Sequence, residues 1–135
     1  MRTFQVRFEI PYNKFRLEKK RFEKLVAEAI ETLPEKFQKK IQNLNVAVED
    51  EPSDEILRQQ GIGQSNTLLG LYHGVPLKNR GVSYTNVLPD KIIIYQKPIE
   101  KLCRDENEIK EKVREVFRHE LGHHFGMSEQ DLRSI

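Results

Sequence analysis

His119-Glu120-Leu121-Gly122-His123-His124-Phe125-Gly126-Met127-Ser128-Glu129 is the run that decides how this chain of 135 residues is read. It has the form HExxHxxGxxE. An α-helix takes about 3.6 residues per turn, so residues four apart lie nearly above one another. On a helix, His119 and His123 therefore present two imidazoles to one side, where a single divalent ion can take both. Glu120 lies about 100° further around the axis, so its carboxylate can stand beside the ion as a proton acceptor rather than as a ligand. Three of the four histidines fall within these eleven residues. Such clustering favours a metal over independent surface or core histidines.

A third ligand is expected close by. Zinc hydrolases that complete the site from a second helix need a glutamate well downstream, and only residues 124–135 follow His123. The local solution is a helix that stops at a glycine and a chain that turns back to the metal. Gly126 suits the turn, since it enters left-handed backbone without a Cβ clash. Glu129, ten positions after His119, is then the ligand, with Asp131 the alternative and His124 or His73 further candidates. The bland reading makes Glu129 a surface acid.

Outward from this run, Ile109, Val113, Val116 and Phe117 repeat at helical spacing in phase with the histidines, which puts the ligands at the edge of a core. Asp105 followed by Glu108 is a capping-box pattern that starts this helix near Glu106. Upstream, Lys91–Tyr95 holds three consecutive isoleucines and reads as a central strand. Thr67–Tyr72 reads as a strand broken by Gly74 and Pro76. Leu44, Val46 and Val48 alternate as a half-buried strand, as do Phe4, Val6, Phe8 and Ile10 before Pro11. Residues 17–33 carry Phe22, Leu25, Val26, Ala29, Ile30 and Leu33 on one helical face, closed by Pro34, and a short helical turn follows through Phe37 and Ile41. The acidic stretch 49–55 and Gly61-Ile62-Gly63 read as a loop holding one short helix; a lone GxG is a connection more often than a phosphate cradle. The expected fold is α+β: a single domain over 1–135, with a mixed sheet of three to four strands packed by an N-terminal helix and the C-terminal metal-binding helix.

Three stretches together resemble a known family. They are HELGHHFGMSEQDL at 119–132, LLGLYHGVPLKNRG at 68–81 and LPDKIIIYQKPIEKLCRD at 88–105. The chain from about Leu25 onward is similar to the small bacterial zincin-like metallopeptidases, also called minimal zincins or matrixin-like, whereas the first fifteen residues carry no match. The family pattern HExxHHFGxxD implies that His119, His123 and Glu129 hold Zn²⁺ and that Glu120 is the catalytic base. This chain departs from it in having Glu for Asp at 129, one methylene longer. The resemblance also implies a small zincin-like fold, with an edge strand at 68–73 along which an extended substrate pairs. Tyr72 and Arg80 are oxyanion candidates on that basis; the plainer reading is a packing aromatic and a solvated charge.

Composition narrows the surroundings. No apolar run approaches the roughly 20 residues of a membrane span, and MRTFQVRFEI lacks a signal-peptide core. With one cysteine, no internal disulfide forms. A cytoplasmic protein with no membrane partner is expected, and Cys103 reads as a packing residue. Residues 1–45 hold 11 basic against 6 acidic side chains, although the net charge is only +2. That cluster, Lys14 to Lys24, reads as the solvated face of a helix rather than as a nucleic-acid surface.

The expected function is a zinc metallopeptidase that hydrolyses a peptide or unstructured protein through a zinc-bound water activated by Glu120. No lobe or methionine turn follows the metal helix, so the cleft should be open, and a protein partner or second subunit would complete it. The alternative, from another class, is a non-catalytic zinc-containing adaptor whose basic N-terminal half binds a partner. Glu120 separates the two, because a structural zinc site has no use for a proton acceptor beside water.

Overall fold

A computed structural model of the chain describes residues 5–7, 16–63, 66–74 and 90–124. In chain order these form β1 (Gln5–Arg7), α1 (Lys19–Glu31), α2 (Glu35–Ile41), β2 (Asn45–Glu49), α3 (Asp54–Gln59), β3 (Asn66–Leu68), β4 (Gly70–His73), β5 (Lys91–Tyr95), α4 (Gln96–Leu102) and α5 (Glu106–His124). The class is α+β, as expected.

The isoleucine run does lie in the middle of a sheet. β5 pairs parallel with β2 and antiparallel with β4, giving the order β2-β5-β4. Successive side chains of a strand face opposite sides. Ile92 and Ile94 accordingly enter the main core with Phe22, Leu25, Phe37, Val113 and Phe117, and Ile93 and Tyr95 enter a smaller cluster with Leu68 and Leu71. Val46 and Val48, both partly buried, pack against the main core, on the face that the alternation of β2 predicts.

The expected strand at 67–72 is two strands. β3 pairs with β1 in a separate two-stranded ladder, and β4 joins β5. The cause is a slip in the alternation. Leu69 and Leu71 should share a face in a regular strand, yet Leu69 is in the main core and Leu71 is in the smaller cluster. The chain bends at Leu69, whose carbonyl still accepts from Tyr95 N–H at 2.9 Å. Of the expected first strand, Gln5–Arg7 is observed; Phe4, Phe8, Ile10 and Pro11 lie outside the described residues.

The expected acidic-segment helix is α3, which ends in a Schellman arrangement. Gly61, at φ +71°, donates to Arg58 O (3.1 Å) and Ile62 to Leu57 O (2.8 Å). That turn carries the chain toward β3.

Three side-chain links join α1 to α5. Arg21 Nε donates to Glu106 Oε2 at 2.8 Å, and its other arm reaches Glu106 Oε1. Lys110 Nζ stands 3.8 Å from Glu28 Oε2, and Arg114 Nη1 donates to Thr32 Oγ1 at 2.8 Å. The numbers rise together on both helices, so the two run in the same direction. The Arg21 hydrogen bond holds the Glu106 carboxyl below its ordinary range. Both partners are about 40% exposed, so the pair orients more than it stabilises.

α4 was not expected. It follows β5 without a loop and places Pro98 at its third position, where a missing N–H costs nothing because the first-turn donors have no intrahelical acceptor.

Candidate metal centre

α5 carries the first part of the sequence motif, residues 119–124; residues 125–129 lie outside the described residues. Its start is capped as the sequence indicates: Glu108 N–H donates to Asp105 Oδ1 at 2.9 Å. The return bond differs from the standard box, since Glu108 Oε1 accepts from Arg104 N–H at 2.9 Å, one residue earlier than the cap. Ile109, Val113, Val116 and Phe117 are fully buried. They fix which side of the helix meets the sheet and α1.

The same stripe leads to the motif. α5 continues unbroken through 119–123, so positions 119 and 123 lie one turn apart on one side. His119 is half-buried and Glu120 is fully buried at 0% exposure. The carboxyl thus faces inward, one position after the half-buried His119. Removing a carboxyl from water is costly. A proton-handling group is one reason for a fold to keep such a carboxyl at the edge of a core.

Tyr95 ends the central strand close enough to feel that charge. Burial pushes its phenol up to about 12, with Glu49 and then Glu120 adding to the rise. The phenol therefore stays neutral around Glu120. Nothing in the sequence singled Tyr95 out, beyond its place at the end of the isoleucine run.

β4 lies at the edge of the three-stranded sheet among the described residues. His73 is exposed at its end, opposite Lys91. Tyr72 is 8% exposed, and its hydroxyl donates to Asp90 Oδ2 at 2.5 Å. Its hydroxyl hydrogen is directed to Asp90. Arg80 lies outside the described residues, as do Glu129 and Asp131. Among the described residues no three of His, Cys, Asp and Glu form a group that could hold a metal ion. His119 and His123 occupy adjacent turns of α5, and the expected third ligand, Glu129, lies outside the described residues. Two histidine positions one turn apart on a helix, with a buried glutamate following the first, are of a donor type that suits Zn²⁺.

A depression of about 390 Å³ runs along the first half of α5, lined by Cys103, Asp105, Glu108, Glu111 and Lys112 among others. It includes no motif residue. Cys103 itself is 1% exposed, as expected of a packing residue. No helix among the described residues is long and apolar enough to cross a membrane.

Compared with known proteins, the chain matches a family model described as zincin-like metallopeptidase over residues 41–135. The match begins at the end of α2 and takes in the sheet, α5 and the whole motif; α1 precedes it. No curated protein matches the chain.

Proposed function

The chain belongs to the zincin-like metallopeptidase family, and from that premise we propose that it is a zinc-dependent hydrolase of peptide bonds with Glu120 as its general base. The observation that carries this reading is the fully buried Glu120 carboxyl next to His119 on an unbroken α5. His119, His123 and Glu129 are the residues that would hold the ion, leaving one position for water. When bound, zinc lowers the pKa of that water from about 15.7 toward 7 and polarises the scissile carbonyl.

The remaining work falls to the chain's own groups. Glu120 accepts the proton of the attacking water and hands it to the departing amine nitrogen. The buried stripe of α5 seats the turns that carry His119, Glu120 and His123 against the core. β4 offers an edge along which an extended peptide can pair through backbone hydrogen bonds. An unstructured protein suits such an edge better than a folded one, because a free strand is needed to lie on it. We further propose that a protein partner or second subunit completes the cleft.

Glu120→Gln tests the assignment. Metal analysis should find zinc retained, and cleavage of an unstructured test protein should fall by a factor on the order of 100 to 10,000. Cleavage at the wild-type rate would reject Glu120 as base. Zinc-loaded wild type that cleaves nothing would favour the adaptor reading instead.

A further inference from the structure

Gly70 opens β4 where that strand meets the helix of the histidines. Its cross-strand partner is Ile94, a member of the main core, so position 70 is on the helix side of the sheet. A Cβ placed there would stand 2.5 Å from Val116 Cγ1 and 3.1 Å from Ile93 O. Neither neighbour yields easily. The carbonyl belongs to the central strand, held by ladders on both sides. Val116 is fully buried and β-branched, with one strongly preferred rotamer in a helix. An added methyl would therefore act on α5 and push it off the sheet.

Val116 precedes His119 by three residues and Glu120 by four, so the contact sits one turn below the motif on the same stripe. We propose that Gly70 is a positioning residue whose missing side chain sets the separation between the edge strand and the turn of α5 carrying His119 and Glu120. This rests on the hydrolytic reading above and adds a determinant to it. A peptide paired on β4 presents its carbonyl at a distance fixed by the strand, while the water and its base are fixed by the helix. A misplacement of about 1 Å between the two can cost about 100-fold in rate. Both histidines ride on α5, so zinc affinity should be nearly indifferent to the same displacement.

The test compares Gly70→Ala, Val116→Ala and the double variant with wild type, all as full-length zinc-loaded protein. For Gly70→Ala, kcat should fall tenfold or more, with KM and zinc affinity, measured by chelator competition, each within twofold of wild type. Binding of an extended peptide, followed by fluorescence anisotropy in the Glu120→Gln background, should likewise stay within twofold. In the double variant the methyl at 70 enters the space Val116 vacates, and kcat should return to within threefold of wild type. Folded Gly70→Ala with wild-type kcat overturns the proposal and leaves the hydrolytic reading standing. Loss of zinc affinity in step with kcat also overturns it, since the residue would then only support the fold. If Gly70→Ala does not fold, the double variant decides alone: zinc bound with kcat more than tenfold down rejects the proposal. Wild type that binds zinc and cleaves nothing removes the hydrolytic reading and this proposal together.

Discussion

Glu100 and Gln96, one turn apart on α4, grip a single residue of the segment leading into α1. Leu17 N–H donates to Glu100 Oε2 at 2.5 Å, and Gln96 Nε2 donates to Leu17 O at 2.8 Å. Burial raises the Glu100 carboxyl above its ordinary value, and Asp50 adds to this; the Leu17 and Gln96 hydrogen bonds and Arg16 act in the opposite sense. A folded-state pKa above the unfolded one contributes stability that is fully present below the ordinary value of 4.5 and lost as pH rises through the folded value. Glu100→Gln keeps an acceptor for Leu17 N–H and removes the charge. Its melting temperature relative to wild type should therefore be higher at pH 7 than at pH 4 in thermal scans, and a pH-independent difference would refute the argument. Cys103 is a second buried titratable group. Burial pushes its thiol up to about 12, although Lys112 pulls the other way. A maleimide or disulfide reagent at pH 8 should leave the native thiol unmodified and label it fully in guanidinium; prompt native labelling would contradict its burial. The packing role of Cys103 was legible from its apolar neighbours. The Leu17 grip was not, because it joins residues about eighty positions apart.

At the scale of elements, α5 was the most legible part of the chain because everything that defines it is local. Cap, apolar stripe and histidine pair all recur at helical spacing within one stretch. Replacing Asp105 by alanine removes the acceptor for Glu108 N–H and should lower stability by about 1 kcal/mol, read as a shift in urea midpoint at constant slope. The cap lies roughly 20 Å along the axis from His119, at about 1.5 Å per residue. Zinc affinity of the folded variant should consequently match wild type; a tenfold loss would mean that the helix start and the metal turn are coupled. α4 was illegible for the opposite reason. Seven residues around Pro98 carry no period, and the helix depends on the burial of Ile99 and on the Leu17 grip. The break between β3 and β4 was equally hidden. Leu68, Leu69 and Leu71 fit one strand as well as two, and only the pairing of β3 with β1 and of β4 with β5 decides which. Glu129, expected as a ligand from its spacing and from the family resemblance, lies outside the described residues.

Across the whole molecule, β5 is a wall between two unequal apolar volumes. The larger collects side chains from α1, α2, α4, α5 and the sheet; the smaller holds Leu68, Leu71, Ile93 and Tyr95, with Ile56, Leu57 and Ile62 partly covering them. The isoleucine run indicated a strand buried on both faces, but only the placement of the helices shows that the two faces differ in depth. That asymmetry bears on the candidate metal centre, since α5 gains its seat from the larger volume. It also makes neighbouring residues of one type unequal. Ile94 is fully buried against the helices, whereas Ile93 is 7% exposed on the thinner side. Truncating a buried isoleucine to alanine costs about 2–5 kcal/mol, more where the surroundings cannot close the cavity. Ile94→Ala should fall near the top, at about 4 kcal/mol, because α1, α5 and the sheet hold one another apart there. Ile93→Ala should fall near about 2 kcal/mol, because the three partly exposed side chains opposite can move in. Against a total stability of about 5–15 kcal/mol, the first change should leave a marginal protein and the second a usable one. Urea titrations of both variants measure the order directly; equal losses or the reverse would mean that α5 is not seated on the main core.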